Sequence, residues 1–399
     1  MARVRIDSAR RTLAVLAPAT FFDGYDGLIL GLALPLIRSE FDLSVAQAGL
    51  VGGVVFAGGF GALALIAAAD RIGRRPALTL SIIGYTIATF LTALSVGVLD
   101  FVAYQFVARV FLGAERTLAN IVVVETVPEQ RRGRALAILA AMFAVGQAAA
   151  GLGFAIVNTT GSSWRMLYLM GIVPLLVVAR ARRDLPETLG LSGAPRPPIR
   201  TTLNPRWTVG AGVLGFLFNV FPTALVVFAS TIVLEEWDWA LTDIDPRYFV
   251  WWGLSLSGFF VAGRLIDAWG RRPAAVLFFG GAALTGIWAF GMAGSDPGRA
   301  VGLGLVIFFL TGAAPCNGAL TTEPFPIEAR GRVGAMVRLA DIGGSAAAPA
   351  LAGLLAGPLG GVGPAVAATG ISYAFAAAAV VGLMPETRHR EAGLGSSEA

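Results

Sequence analysis

The chain has 399 residues, 56% of them hydrophobic and only 14% charged, with a mean hydropathy of +0.73, a balance that ordinary soluble domains do not reach. The net charge is +5 and the isoelectric point near 10.0. All thirty basic residues are arginines, set in short segments between apolar runs rather than on an aromatic-interleaved face, which excludes nucleic-acid binding, and without lysine there is no Schiff-base chemistry.

Apolar runs of about 20 residues read as spanning helices, and the chain has twelve of them. The first six lie near residues 13–36, 47–69, 76–96, 100–126, 135–157 and 165–181. The second six lie near 207–234, 247–267, 273–293, 299–321, 333–356 and 364–384. Lipid offers backbone groups no hydrogen-bond partners, so each span must be helical. The first carries Asp23 and Asp26 and is followed by no A-x-A site, so it is not a cleavable signal peptide. The expected organisation is an N-terminal six-helix bundle over 1–182, a cytoplasmic linker over 183–206, and a C-terminal six-helix bundle with a short tail over 207–399. The acidic, aromatic loop from Glu235 to Arg247 is expected at the opposite face. Cys316 is alone and His389, the only histidine, lies in the tail, so neither a disulfide framework, a metal site nor a buried histidine relay is expected, and no cofactor.

Arginine asymmetry sets the orientation. Twenty-two arginines lie in the N-terminal tail, the loops after spans 2, 4, 8 and 10, the linker and the C-terminal tail. The opposite loops and span ends hold four: Arg38, Arg165, Arg247 and Arg299. Both termini are therefore expected to be cytoplasmic.

The chain states its motifs twice. Asp70, Gly73, Arg74, Arg75 and Pro76 return 197 residues later as Asp267, Gly270, Arg271, Arg272 and Pro273. Glu125, Pro128, Arg132, Gly133 and Arg134 return 198 residues later as Glu323, Pro326, Arg330, Gly331 and Arg332. Pro186-Glu187-Thr188 returns 199 residues later as Pro385-Glu386-Thr387. Three motifs at one offset mean an internal duplication, and parallel repeats of helical membrane halves mark transporters.

These residues resemble the major facilitator superfamily. The D-R-x-G-R-R-P loop after helix 2, with its repeat after helix 8, is similar to the signature loop of that family. E-x-x-P-x-x-x-R-G-R after helices 4 and 10, and P-E-T after helices 6 and 12, resemble its sugar-porter and organic-ion branches. FFDGYDGLILGLALP in helix 1 and WRMLYLMGIVPLL at helix 6 resemble the aromatic acid:proton symporters and the metabolite:proton symporters related to synaptic vesicle protein 2. Two positions depart from the pattern: Ala67 to Ala69 stand where a glycine precedes the signature loop, and Gln105 stands where such families place an arginine. The resemblance implies an all-α membrane fold of two pseudo-symmetric six-helix bundles, and a cavity lined by helices 1, 4, 7 and 10.

Charges inside a bilayer cost roughly 2.5–3.5 kcal/mol each on insertion scales and default to function. Asp23 and Asp26 share one face of helix 1. Arg109, Gly113, Arg116 and Asn120 form one stripe of helix 4, with Glu115 about 100° from Arg116. Arg338 and Asp341 are i,i+3 on helix 11. Four carboxylates face three arginines, so at least one carboxylate lacks an arginine of its own. With no histidine or lysine in the spans, the proton of any symporter must ride on one of these acids, Asp23 or Asp26 first and then Glu115. A static salt-bridge network is the alternative. Arg116 is either the group for a substrate carboxylate or the neutraliser of Asp23 or Asp26: an arginine free of a carboxylate partner points to anionic substrates, a fully paired one to cations. Asp26, Tyr25, Gln147, Asn219, Asn317, Arg338 and Asp341 are further candidates for substrate contact, and the polar amides are equally suited to gluing helices. Asp70, Arg71, Gly73, Arg74, Arg75, Glu125 and Arg132, with Asp267, Gly270, Arg271, Arg272, Glu323 and Arg330, form the candidate cytoplasmic gate. There Glu125 and Glu323 would pair with Arg131, Arg132, Arg330 or the loop arginines.

The reading is a monomeric secondary transporter of the bacterial plasma membrane and not an enzyme, its partners the lipid bilayer, protons and a small molecule. Its expected work is proton-coupled symport of a small organic anion. Proton-coupled efflux of drugs or cationic metabolites, and sugar transport, are the alternatives.

Overall fold

The computed structural model describes residues 2–172, 203–239 and 247–387; the side chains of 2–11, 124, 129–133, 247–256 and 327 lie outside that description. Among the described residues every regular element is a helix. In chain order they are α1 (Ala2–Glu40), α2 (Val45–Ile72), α3 (Arg74–Ala93), α4 (Val98–Thr126), α5 (Glu129–Thr160) and α6 (Arg165–Met170). They continue with α7 (Pro205–Thr231), α8 (Arg247–Trp269), α9 (Arg271–Ile287), α10 (Asp296–Thr322), α11 (Ile327–Ala356), α12 (Val362–Thr369) and α13 (Ile371–Leu383). The twelve expected spans fall on α1 to α11 and on the pair α12–α13, which divides at Gly370.

Nine helices among the described residues are long and apolar enough to cross a membrane. α4 is not one of them, because Arg109, Glu115 and Arg116 crowd its middle. α6 and α8 lie partly outside the described residues. Several helices run past their expected bounds. α7 does not end before Glu235 but runs on as a π-helical turn, Ile232–Glu236. α1 and α5 extend beyond their apolar spans, α1 through Glu40 and α5 from Glu129 to Thr160. The expected linker is described only from residue 203, and the C-terminal tail with His389 lies outside the description.

The chain forms two compact units: residues 1–44 with 54–196, and residues 45–53 with 197–399. In the first, α1 packs on α5 and α4, and α3 on α4 and α6. In the second, α7 packs on α11 and α13, and α10 on α8 and α9. The duplication is visible in the packing. A Cβ on Gly146 of α5 would lie 1.9 Å from the Phe21 carbonyl oxygen of α1, and one on Gly344 of α11 would lie 2.1 Å from the Phe216 carbonyl oxygen of α7. Each contact is backbone against backbone, as small residues allow in lipid. In the first unit this close approach holds α1 and α5 together around the charges of α1.

Candidate functional site

Asp23 and Asp26 project from α1 and are both 1% exposed. Arg116 of α4 meets Asp23 with a two-pronged grip, Nε to Oδ2 at 2.5 Å and Nη2 to Oδ1 at 3.0 Å. This fork geometry is the strong form of a carboxylate–guanidinium pair. Its guanidinium also lies over the Phe143 ring, 4.6 Å from the centroid. The two partners differ in access: the Arg116 side chain is 40% exposed and the Asp23 side chain 2%.

The second carboxylate is held differently. Arg109 Nη2 stands 4.0 Å from Asp26 Oδ2, beyond hydrogen-bond reach, and neither Asp26 oxygen has a hydrogen-bond partner. The Arg109 guanidinium lies over the Phe56 ring at 4.6 Å. Tyr85 of α3, 3% exposed, turns its hydroxyl toward Asp26 and Thr89. Tyr168 of α6 and Tyr25 of α1 complete the polar surroundings of Asp26. Glu115 is 3% exposed on the neighbouring face of α4.

Tyr25 is placed away from the role expected for it. Its hydroxyl donates to the Leu167 carbonyl at 2.9 Å and the residue is 6% exposed, so it ties α1 to α6. Gln105, where the resembling families place an arginine, is 1% exposed and donates to Thr92 Oγ1 at 3.1 Å. Gln147 on α5 is half-buried. Cys316 is fully buried in α10 and packs as a small residue.

In the second unit, Asn219 of α7 donates to Asp341 Oδ1 of α11 at 3.1 Å. Arg338 Nη1 lies 4.0 Å from Asp341 Oδ2, one turn away on the same helix. Asn317 on α10 is 8% exposed, and its side-chain oxygen has no hydrogen-bond partner. Of the aromatic residues of α7, Phe221 is core, 0% exposed and edge-on against Tyr373 of α13, whereas Phe216 is 37% exposed.

The repeated motifs converge at one end of each unit. Gly73 and Gly270 open α3 and α9 with φ of 103° and 107°, a region that favours glycine. Asp70 pairs with Arg74 at 2.7 Å, and Arg74 Nε lies 3.6 Å from Glu125 Oε1. In the repeat, Arg271 grips Glu323 at 2.8 and 3.2 Å. Thr387 donates to the same Glu323 at 2.5 Å. Glu386 accepts the backbone N–H groups of Arg271 and Arg272 at 3.0 Å each, placing a carboxylate at the positive end of α9. The second P-E-T is thus a helix cap, a role the sequence reading did not assign. Of the alternatives given for Glu323 its partner here is a loop arginine, Arg271, and Arg330 donates to the Phe325 carbonyl at 3.1 Å. Arg272 donates to the Val381 carbonyl through its side chain. Asp267 and Arg71 are exposed; the side chains of Arg131 and Arg132 lie outside the described residues. Each of these pairs joins elements of one unit.

No group of three or more histidine, cysteine or acidic residues suited to a metal occurs among the described residues.

Comparison with known proteins places these features. A cis,cis-muconate transport protein of Acinetobacter baylyi is 26% identical over 412 residues, covering 93% of this chain and 94% of the relative. The crystal structure of a D-xylose–proton symporter matches with a TM-score of 0.70 at 19% identity, covering 94% of this chain and 98% of that one. A bacterial homologue of the human lysosomal transporter Spinster, solved facing inward and unoccupied, matches with a TM-score of 0.74 at 16% identity over 94% of this chain and 96% of that one. These likenesses give the fold, the twelve-helix membrane architecture expected from the spans. The family pattern itself matches residues 16–316, and the chain belongs to the Major Facilitator Superfamily, as a transporter and not an enzyme.

Proposed function

We propose that the protein is a proton-coupled symporter for a small organic acid. The observation that carries this reading is the Asp23–Arg116 pair, in which the arginine is open to approach and the carboxylate is not. A substrate carboxylate and Asp23 compete for one guanidinium fork. When Asp23 takes a proton its claim on Arg116 weakens, and the substrate carboxylate can take the fork in its place. Proton and anion then bind together, which is what symport requires. The acid relatives agree: the muconate transport protein aligns over nearly its whole length.

Asp26 is the second proton group of this reading. Arg109 stands 4.0 Å from it and does not grip it as Arg116 grips Asp23. Glu115 of α4, 3% exposed, is the third proton group of this reading. In the second unit Asn219, Asn317, Arg338 and Asp341, and in the first Gln147, serve as polar groups for the rest of the substrate. The rim charges around Asp70, Arg74 and Glu125, and around Arg271 and Glu323, serve as the cytoplasmic gate. Both termini are cytoplasmic, the membrane is the bacterial plasma membrane, and the working unit is a monomer of two six-helix bundles joined by the 183–206 linker.

The second reading, efflux of a cation in exchange for protons, draws on the same pair. Arg116 is paired, and a paired arginine was the mark of a cationic substrate. The exposures favour the first reading: the Arg116 side chain is 40% exposed, whereas the carboxylate that a cation would need is 2% exposed. Thermal-shift binding of purified protein to benzoate, cis,cis-muconate, a hexose and a cationic drug separates the readings, because specific binding raises stability. Stabilisation by the acids, lost in Arg116→Ala, supports symport of anions. Stabilisation by the cation alone overturns it.

A further inference from the structure

Asp26 sits at one end of a buried row of polar groups that the transport reading leaves unused. The row runs along one face of α3 as Tyr85, Thr89 and Thr92, at helical spacings of four and three, with exposures of 3%, 1% and 0%. Such hydroxyls in an apolar helix usually bond to the carbonyl four residues back. Ser81, Thr86 and Thr92 do so, on Ala77, Ile82 and Ala88 at 2.9, 2.7 and 2.9 Å. Thr89 does not: its Oγ1 is buried and bonds no carbonyl of its own helix, and the Tyr85 hydroxyl interacts with both Thr89 and Asp26. Thr92, although donating to Ala88, still accepts from Gln105 of α4. One turn further on, Ser95 is 1% exposed and its carbonyl accepts Arg165 Nη2 at 2.7 Å. Arg165 in turn pairs with Glu40 at 2.7 Å. The next residue, Val96, is 90% exposed. The row therefore leads from Asp26 to the end of the unit opposite the arginine-rich loops.

We propose that the Tyr85–Thr89–Thr92 row of α3 is a proton route that connects Asp26 with the face opposite the arginine-rich loops, separate from the path taken by substrate. This rests on Asp26 being a proton group of the transporter, as read above. Hydroxyls one turn apart, about 5–6 Å between their Cβ atoms, are close enough for one bridging water to link them. Each hydroxyl accepts one proton and releases one. The net result is one proton added to the Asp26 carboxylate, with every hydroxyl left as it began. The charged and titratable groups that face Asp26 are Asp23 and Tyr25 of α1, Tyr85 of α3, Arg109 and Arg116 of α4, and Tyr168 of α6. Among them Tyr85 is the hydroxyl that also faces Thr89, so the row reaches Asp26 through Tyr85. Thr89 keeps its hydrogen-bonding capacity for the row because its own helix does not use it. The role makes Tyr85 and Thr89 positioning residues that act through Asp26.

The test is the rate at which Asp26 gains its proton. The full chain in lipid nanodiscs is subjected to a downward pH jump while the carboxylic acid C=O stretch is followed in the infrared, the Asp26 band being assigned by its loss in Asp26→Asn. Tyr85→Phe and Thr89→Val, which keep ring and shape, are expected to slow the rise of the band at least tenfold each, at unchanged final amplitude. Thr89→Ser is expected to restore the rate, which a merely misfolded Thr89 variant cannot do. A wild-type rate in the Tyr85→Phe/Thr89→Val double variant overturns the route. So does a loss of final amplitude at an unchanged rate, or the lack of any Asp26 band in the unsubstituted protein. Uptake of benzoate driven by a proton gradient tests the transport reading separately: a band that rises, and slows in the variants, in a protein that takes up no acid leaves the route standing and removes the function.

Discussion

Truncating Arg116 to alanine perturbs the pair that the account depends on. The Asp23 side chain is 2% exposed, so removing its partner leaves a buried carboxylate with neither of its two hydrogen bonds. Breaking a buried pair costs about 3–5 kcal/mol. The Arg116 side chain is 40% exposed and solvent screens part of its charge, which brings the expected loss to the lower end, about 3 kcal/mol. Arg116→Lys supplies a point charge without the fork and keeps only part of the interaction. The neutral double variant Asp23→Asn/Arg116→Gln leaves no stranded charge, so its stability is expected to lie closer to wild type than that of either single charge removal. Acid binding should behave differently. It should fall by roughly a hundredfold in Arg116→Ala, at about 1.4 kcal/mol per decade, and remain lost in the double variant. The assay is thermal unfolding in detergent for stability and saturation binding of radiolabelled benzoate for affinity. A double variant as unstable as Arg116→Ala would refute the pair as the source of the loss. Equal loss of affinity for benzoate and for benzamide, its neutral analogue, would make Arg116 structural.

Other outcomes follow from the same geometry. Asp26→Asn should abolish uphill accumulation while leaving counterflow largely intact, as judged by exchange of labelled substrate at equal pH on both sides. Gly270→Ala should destabilise the second unit by about 1–3 kcal/mol, since φ is 107° and the new Cβ would lie 2.7 Å from Glu386 Oε2; thermal unfolding reads it, and an unchanged midpoint counts against the cap. Asp70→Asn should leave insertion intact and slow transport, and cysteine accessibility at either face that matches wild type would argue against a gate. Glu386→Gln should weaken the α9 cap by about 0.3–1 kcal/mol, less than Gly270→Ala, since the amide oxygen still accepts one backbone N–H.

How much of this could be read in the residues follows from the kind of signal each carries. The duplication exposed the rim: a glycine opening α3 and α9, followed by arginine, needs only local backbone geometry, and both glycines have positive φ. The pairing of Asp23 with Arg116 was one of two alternatives, because spacing within a helix says which residues share a face and not which face they meet. Tyr85 and Thr89 carried no signal. α3 is apolar along most of its length, and scattered hydroxyls in such a helix read as groups satisfied by their own backbone, which holds for Ser81, Thr86 and Thr92 but not for Thr89. Tyr25 stood in a motif beside two aspartates and invited a substrate role, yet a carbonyl 142 residues away takes its hydroxyl. The cap formed by Glu386 was equally hidden, since a carboxylate after the last helix has no local partner to announce it.

The claim at the centre of the account is that acid and proton enter together. Proteoliposomes holding the purified full chain, with an imposed pH gradient acidic outside and labelled benzoate or cis,cis-muconate as probe, test it directly. The account predicts accumulation above the external concentration that collapses when a protonophore removes the gradient and is absent in Asp23→Asn. Uptake indifferent to the gradient, or gradient-driven movement of a cationic drug in place of either acid, would contradict it.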